Sequence, residues 1–288
     1  MGESNLKLFA SVLGLALILA AGKTIAGDAH PTHVMSLYLC TDELVLDLLP
    51  VNRIASVTFL SRSRSNLFRW SQAAHVPINH GLVEEVLAEK PDLVLAGTYT
   101  TAAARALLKK AGVPLLEVPP ANNFEEIRAV TRSVARALGE QEAAESLIAK
   151  MDATLGELAA RKPRDVIRVA GWDGGGSVPG KGTLFDAILA AAGGVNIASS
   201  LPGTRSGSFD IEELLMARPD VLAYGADSNG EPALRTDADQ HPLILKVYEH
   251  RRVTYPEVLY SCGVPESAEA AVSLHAKLLD AMQTGDQP

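Results

Sequence analysis

Two similar α/β lobes, each with a mainly parallel sheet flanked by helices and joined by a single long α-helix, are predicted for this 288-residue chain. Three observations predict them. A composite motif occurs twice, strand-like and helix-like runs alternate around both copies, and the stretch 140–161 keeps a helical period with no strand in it.

The repeated motif runs from Glu84 to Gly97 and from Glu212 to Gly225. Setting Pro91 on Pro219 aligns two acidic pairs, a basic residue before each proline, both Pro-Asp steps, an apolar run and a closing glycine. A proline cannot continue a helical ladder, so each copy reads as a short helix stopped at the proline and followed by a buried strand. Two copies this far apart predict two lobes rather than a short-period solenoid.

Hydrophobic residues make up 47% and charged residues 21% of the chain, which excludes extended disorder. A net charge of −8 excludes nucleic acid as a partner of the whole surface. Aromatics are only 5%, so an aromatic near a strand end carries weight. Residues 6–21 are apolar and too short for a confident membrane span; they read as the core of a signal peptide, with small residues near 24–29 for cleavage. The expected organisation is a signal peptide over 1–27, a first lobe over 28–139, a linker helix over 140–161 and a second lobe over 162–288.

The elements follow in order. Residues 33–39 read as a strand, and Thr41, followed by Asp42 and Glu43, as the N-cap of a helix ended by Pro50. Residues 53–58 form a second strand, 61–66 a basic loop and 75–78 a short extended piece before the first motif copy. A helix closed by Gly112, a strand over 113–118, a helix capped by Asn122 or Asn123 and ended by Gly139, and then the long helix complete the first half. After Pro163 the alternation restarts with a strand over 166–170, a glycine-rich segment and a helix capped by Thr183. Residues 196–199 echo 53–56, the second motif copy follows, and a short helix near 243–247, a strand over 252–254 and a final helix over 267–282 end the chain.

Gly175, Gly180 and Lys181 have phosphate-loop spacing, but Gly182 stands where a hydroxyl would bind magnesium, and Pro179 removes an amide. Gly203-Thr204-Arg205-Ser206-Gly207 lacks the spacing of a serine nucleophile elbow, so no catalytic residues are assigned. The histidines are scattered, and no metal ligand set is recognisable. Cys40 and Cys262 read as a buried thiol each or as one bridge, ahead of metal ligation. Parallel sheets bind ligands at the carboxyl ends of their strands. The strand-end loops nominate Tyr38, Cys40, Phe59, Arg62, Arg64, His80, Tyr99, Trp172, Lys181, Arg205 and Tyr224 as cleft residues. For His80 the competing reading is a hydrogen-bonded structural histidine. Aromatic faces suit a flat corrin, haem or aromatic chelate, and the arginines an anionic ferric siderophore.

The opening strand with Thr41-Asp42-Glu43-Leu44, Arg53-Ile54-Ala55-Ser56-Val57, both motif copies, the linker helix and residues 193–198 together resemble the periplasmic solute-binding proteins of the cobalamin and iron–siderophore class. The resemblance covers nearly the whole chain after the leader. It implies a monomer in the periplasm, with no intrinsic cofactor and no catalysis, that captures a metal chelate (ferric siderophore, cobalamin or haem-like) and hands it to an ABC permease with its ATPase. It also implies docking glutamates at Glu84 and Glu212, where the competing reading is acids favoured by the helix dipole. A sensor or adaptor of the same fold, a bare metal-ion binder and a phosphate-loop enzyme are the alternatives.

Overall fold

Apolar runs bounded by turns become strands in the expected order. The computed structural model describes residues 30–285 apart from 65, 164, 173–176, 201–205, 209, 227–240 and 257. The first lobe runs β1 (Val34–Ser36), α1 (Leu39–Leu48), β2 (Ile54–Thr58), α2 (Trp70–Ala73), β3 (Ile78–Asn79), α3 (Val83–Glu89), β4 (Leu93–Gly97), α4 (Ala102–Lys110), β5 (Leu115–Val118) and α5 (Phe124–Leu138). The 20-residue helix α6 (Gln141–Ala160) follows, about 30 Å long at 1.5 Å per residue. The second lobe runs β6 (Ile167–Gly171), β7 (Ser177–Pro179), α7 (Leu184–Ala191), β8 (Gly194–Asn196), β9 (Ser206–Ser208), α8 (Ile211–Ala217), β10 (Val221–Ala226), α9 (Pro242–Val247), β11 (Arg252–Pro256), α10 (Val258–Ser261) and α11 (Ser267–Gly285).

The first sheet has the order β3-β2-β1-β4-β5 and the second β11-β10-β6-β8, and every pairing in both is parallel. Read from β2, the first is β2-β1-β4-β5; read from β8, the second is β8-β6-β10-β11. The motif strands β4 and β10 thus hold equivalent places, each beside the first strand of its lobe. β7 and β9 form a separate antiparallel pair that periodicity did not predict.

The motif has the same physical construction in both lobes. Lys90 and Arg218, the basic residues before each proline, are the only described non-glycine residues with positive φ, at 53° and 48°. Each closes its helix by donating its N–H to Val86 O or Leu214 O, and the proline then forbids another turn. The acids divide their work. Glu85 and Glu213 fold back onto the backbone N–H of Leu82 and Asp210, both at 3.1 Å. Asp210 also caps the Glu213 amide at 2.7 Å, whereas Leu82 has no side-chain acceptor to complete the box. Each Pro-Asp step locks strand register: Asp92 accepts from Thr32 N and His33 N, at 2.7 and 3.0 Å, and Asp220 from Arg168 N at 2.7 Å. These bonds tie each motif strand to the entry of its central neighbour.

The largest apolar core is continuous across the lobes. Val134 of α5, Ile148 and Met151 of α6, Ile188 of α7 and Leu274 of α11 all belong to it and are buried. Asn123 caps α5 through Glu126 N at 2.8 Å, and Gly139 ends it at φ +79°.

Two expectations about local structure change. Thr41 is not an N-cap: α1 begins at Leu39, with Tyr38 in the cap position, and Thr41 sits inside the first turn donating its hydroxyl to Tyr38 O at 2.7 Å. The neighbouring acids are buried rather than solvated. Asp42 accepts from Thr58 N, Thr58 Oγ1 and Ser61 Oγ, so it fastens α1 to the end of β2. In the echo 196–199, Asn196 ends β8 and Ile197–Ser200 coil into a 3₁₀ turn, whereas residues 54–58 are strand.

Burial also sets a pH dependence. Desolvation pushes the Glu43 carboxyl up to about 7, against the pull of N–H bonds from Phe68 and Arg69. Desolvation and repulsion from Glu266 raise Asp47 further, and the single Arg69 guanidinium does not offset them. Carboxyls raised above their unfolded range of about 4 bind protons more tightly in the folded state. Their stabilisation is complete below that range and is lost as pH rises through about 7. Scanning calorimetry is expected to show the unfolding midpoint falling between pH 5 and pH 8.5, and a shallower fall in Asp47→Asn. An unchanged slope in that variant would remove Asp47 from the account.

Candidate ligand-binding site

Loops at the carboxyl ends of parallel strands converge on a cavity of about 350 Å³ between the lobes, within the ~300–1,000 Å³ usual for small-molecule sites. The first lobe contributes Tyr38 after β1, Tyr99 after β4 and residues 118–122 at the end of β5. The second contributes Pro179 at the end of β7, Thr183, Leu184 and Phe185 at the start of α7, Tyr255 of β11, and Tyr260, Ser261 and Gly263 beyond it.

The walls are aromatic on both sides. Tyr38 and Tyr99 face each other with ring centroids 5.7 Å apart. Opposite them Phe185, Tyr255 and Tyr260 form a cluster with centroids 4.3 to 5.9 Å apart. No Asp, Glu, Lys, Arg or His is among the described lining residues. Desolvation and then the neighbouring Tyr99 push the Tyr38 phenol up to about 12. Desolvation and then Tyr255 raise the Tyr260 phenol as well. Both are neutral donors at physiological pH. The Tyr260 hydroxyl oxygen is buried and has no hydrogen-bond partner among the described residues.

Gly97, which closes the first motif copy, has a steric reason to be glycine. A Cβ there would fall 2.0 Å from Tyr38 Cδ1, inside the ring. Gly97→Ala is therefore expected to rotate Tyr38 out of the wall and to destabilise the fold by about 1–3 kcal/mol, the usual cost of overpacking. Urea unfolding would measure the cost, and Tyr fluorescence or ligand titration the rotation. A wild-type response in both would contradict the contact.

The residues nominated from sequence separate into three groups. Tyr38, Cys40 and Tyr99 line the cavity, although the Cys40 sulfur is bonded to Cys262 and is not a free thiol. Phe59, Arg62, Arg64, His80, Trp172, Lys181 and Tyr224 do not line it. Phe59 and His80 stack on each other at 5.4 Å beyond β2 and β3, which lie across β1 from the β4–β5 side where the cavity forms. His80 Nδ1 also meets Glu85 Oε1 at 3.0 Å, which matches its structural reading. Arg62 donates to the carbonyls of Ala73 and Val76, and Arg64 is exposed. Trp172 is 1% exposed and packs in a second core with Ile197, Leu214 and Leu222, against which Tyr224 also lies. Arg205 lies outside the described residues.

Lys181 is exposed, and the Gly182 N–H that a phosphate would use donates instead to Asp186 Oδ2 at 3.1 Å. The helix α7 is capped by its own Thr183. Among the described residues no group of three or more His, Cys, Asp or Glu is arranged to hold a metal ion. Sequence reasoning missed Phe185, Tyr255 and Tyr260. Tyr255 at the end of β11 and Tyr260 within α10 stand five residues apart in a chain poor in aromatics, which was their signal; Phe185 carried none.

Comparisons with known proteins agree with this architecture. The family profile described as "Periplasmic binding protein" matches residues 63–241. A cobalamin-binding protein of Halobacterium salinarum is 29% identical over 170 residues, covering 56% of this chain and 44% of the relative. The chain thus matches less than half the length of that relative. Among solved structures, the periplasmic heme-binding protein HutB of Vibrio cholerae superposes with a TM-score of 0.72 at 17% identity, covering 86% of this chain and 98% of that one. The apo form of the heme-binding protein RhuT from Roseiflexus sp. RS-1 gives 0.71 at 21% identity over 86% and 98%. The vitamin B12 binding protein BtuF of Vibrio cholerae gives 0.67 at 17% identity over 88% and 98%. These structures share the two-lobe fold, and with a family match extending over most of its length the chain belongs to the periplasmic binding protein family.

Proposed function

We propose that the chain is the substrate-binding component of an ABC importer in the periplasm, holding a flat, largely apolar metal chelate of the corrin or haem type in the inter-lobe cavity. One observation carries this reading: two aromatic groups from opposite lobes face a cavity with no charged lining side chain among the described residues. Such walls suit a macrocycle held by its faces. Among the described residues they give an anionic ferric siderophore no guanidinium partner, and Arg62 is spent on backbone carbonyls. The names of the relatives point to the same ligand class.

Glu84 and Glu212 are proposed as the contacts to the permease. Both are exposed, and among the described residues no hydrogen bond or ion pair engages either one. The capping work that would explain an acid at this helix end is done by Glu85 and Glu213 instead. Residues 1–27, the expected signal peptide, lie outside the described residues. Native mass spectrometry and absorbance spectra of the protein purified from its own periplasm test the ligand class. A bound coloured macrocycle is the expected result, and a bound catecholate or hydroxamate chelate would overturn it.

A further inference from the structure

Between β11 and α11 the second lobe sends a short segment back onto the first. Three attachments hold it there within five residues. Cys262 is bonded to Cys40 in the first turn of α1, with Cα atoms 5.1 Å apart. Gly263 lies so close to the Ala121 carbonyl that a Cβ would sit 2.1 Å from its oxygen. Glu266 Oε1 accepts from Arg69 Nη2 at 2.6 Å, and Arg69 also pairs with Asp47 of α1. The attachment points belong to three separate pieces of the first lobe: α1, the turn after β5, and the residue before α2. The same segment carries Tyr260, Ser261 and Gly263 into the cavity wall.

We propose that this segment is a redox-sensitive strap, in which the Cys40–Cys262 bridge sets the width of the cleft by holding the second lobe's aromatic wall against the first. Apart from the bridge, the chain passes from the first lobe to the second once, through α6, so the bridge is the covalent tie on the cavity side. The bridge closes a second covalent connection, between cysteines 222 positions apart in sequence, and places it at the cavity itself. Cys262 is 4% exposed, while Cys40 lines the cavity. An incoming dithiol reductant therefore reaches the Cys40 sulfur: its thiolate bonds there, Cys262 leaves as thiolate, and the reductant's second thiol releases Cys40. Two protein thiols and an oxidised dithiol result, with two electrons transferred. A wall no longer held in place is less preorganised for its ligand, so affinity falls.

The test separates strap from ligand. Spin labels carried on ketone-bearing residues at Lys110 of the first lobe and Val195 of the second, both exposed, leave the cysteines untouched. The oxidised protein is expected to give one narrow distance distribution. Phosphine-reduced protein and the Cys40→Ala/Cys262→Val variant should give broader distributions shifted to longer distances, with circular dichroism preserved. Distributions unchanged by reduction would overturn the proposal. So would global unfolding on reduction, because the bridge would then hold the fold and not the cleft. A second arm, which rests on the function proposed above, titrates cyanocobalamin and hemin and expects at least about tenfold weaker binding once the bridge is open. If neither probe binds the oxidised protein while the distances still respond, the ligand assignment fails and the strap stands.

Discussion

Replacing Tyr38 and Tyr260 together by alanine is expected to weaken binding of a corrin or haem probe by about 10²-fold or more. Each ring that covers a ligand face contributes roughly 1.5–3 kcal/mol of apolar burial, and 1.4 kcal/mol is a factor of ten. The two rings come from opposite lobes, so the loss should exceed that of two residues on one wall, where the neighbouring ring partly fills the gap. Tyr260→Phe isolates the polar contribution. If the buried hydroxyl, which has no partner among the described residues, meets a polar atom of the ligand, its removal alone costs about 0.5–1.5 kcal/mol. Isothermal titration separates the two effects. Double-alanine protein that binds like wild type would show that the cavity is not the site.

Reversing both exposed glutamates, Glu84→Arg with Glu212→Arg, is expected to abolish transport while ligand affinity stays within about twofold. Placing like charges against a permease's basic side chains costs several kcal/mol, ample for a loss of 10²-fold or more in uptake. The folded state should be unaffected, because neither residue has a partner among the described residues and the helix caps are made by Glu85 and Glu213. Reversing Glu85 and Glu213 instead should lower the unfolding midpoint, since each is bonded to backbone N–H groups. Uptake of labelled chelate by cells, set beside affinity in vitro, reads both outcomes. Loss of ligand binding in the Glu84/Glu212 variant would move these residues from docking into the site or the fold.

Much of the fold was legible because its signals are local. A proline with an apolar run behind it stops a helix and starts a strand wherever it occurs, so the motif revealed both lobes and their equivalent strands. The roles within the motif were less legible. Lys90 and Arg218 take the left-handed turn although neither is glycine or asparagine, and the register bonds of Asp92 and Asp220 join residues about 50 to 60 apart in sequence. Thr41 was misread because Asp42 and Glu43 resemble solvated first-turn acids, whereas both are buried and bonded to β2 and to the chain before α2. The nominations beyond β2 and β3 were misplaced for one reason. Sequence marks strand ends but not strand order, and the order of the first sheet puts Phe59 and His80 on the side away from β5. Tyr255 and Tyr260 lie beyond the second motif copy, where no repeat drew attention to them. The cysteines, so far apart in sequence, carry no information on their separation in space until α1 and the α10–α11 turn are brought together.

The central claim is that the aromatic cavity between the lobes takes a flat metal macrocycle. An absorbance-monitored titration of the oxidised protein with hemin and with cyanocobalamin tests it most directly, repeated on the Tyr38→Ala/Tyr260→Ala variant. Saturable one-to-one binding of at least one probe, with a Kd of about 1 μM or tighter and a loss of about 10²-fold in the variant, is the predicted result. Absence of saturable binding for both probes, or binding that the variant leaves unchanged, would contradict it.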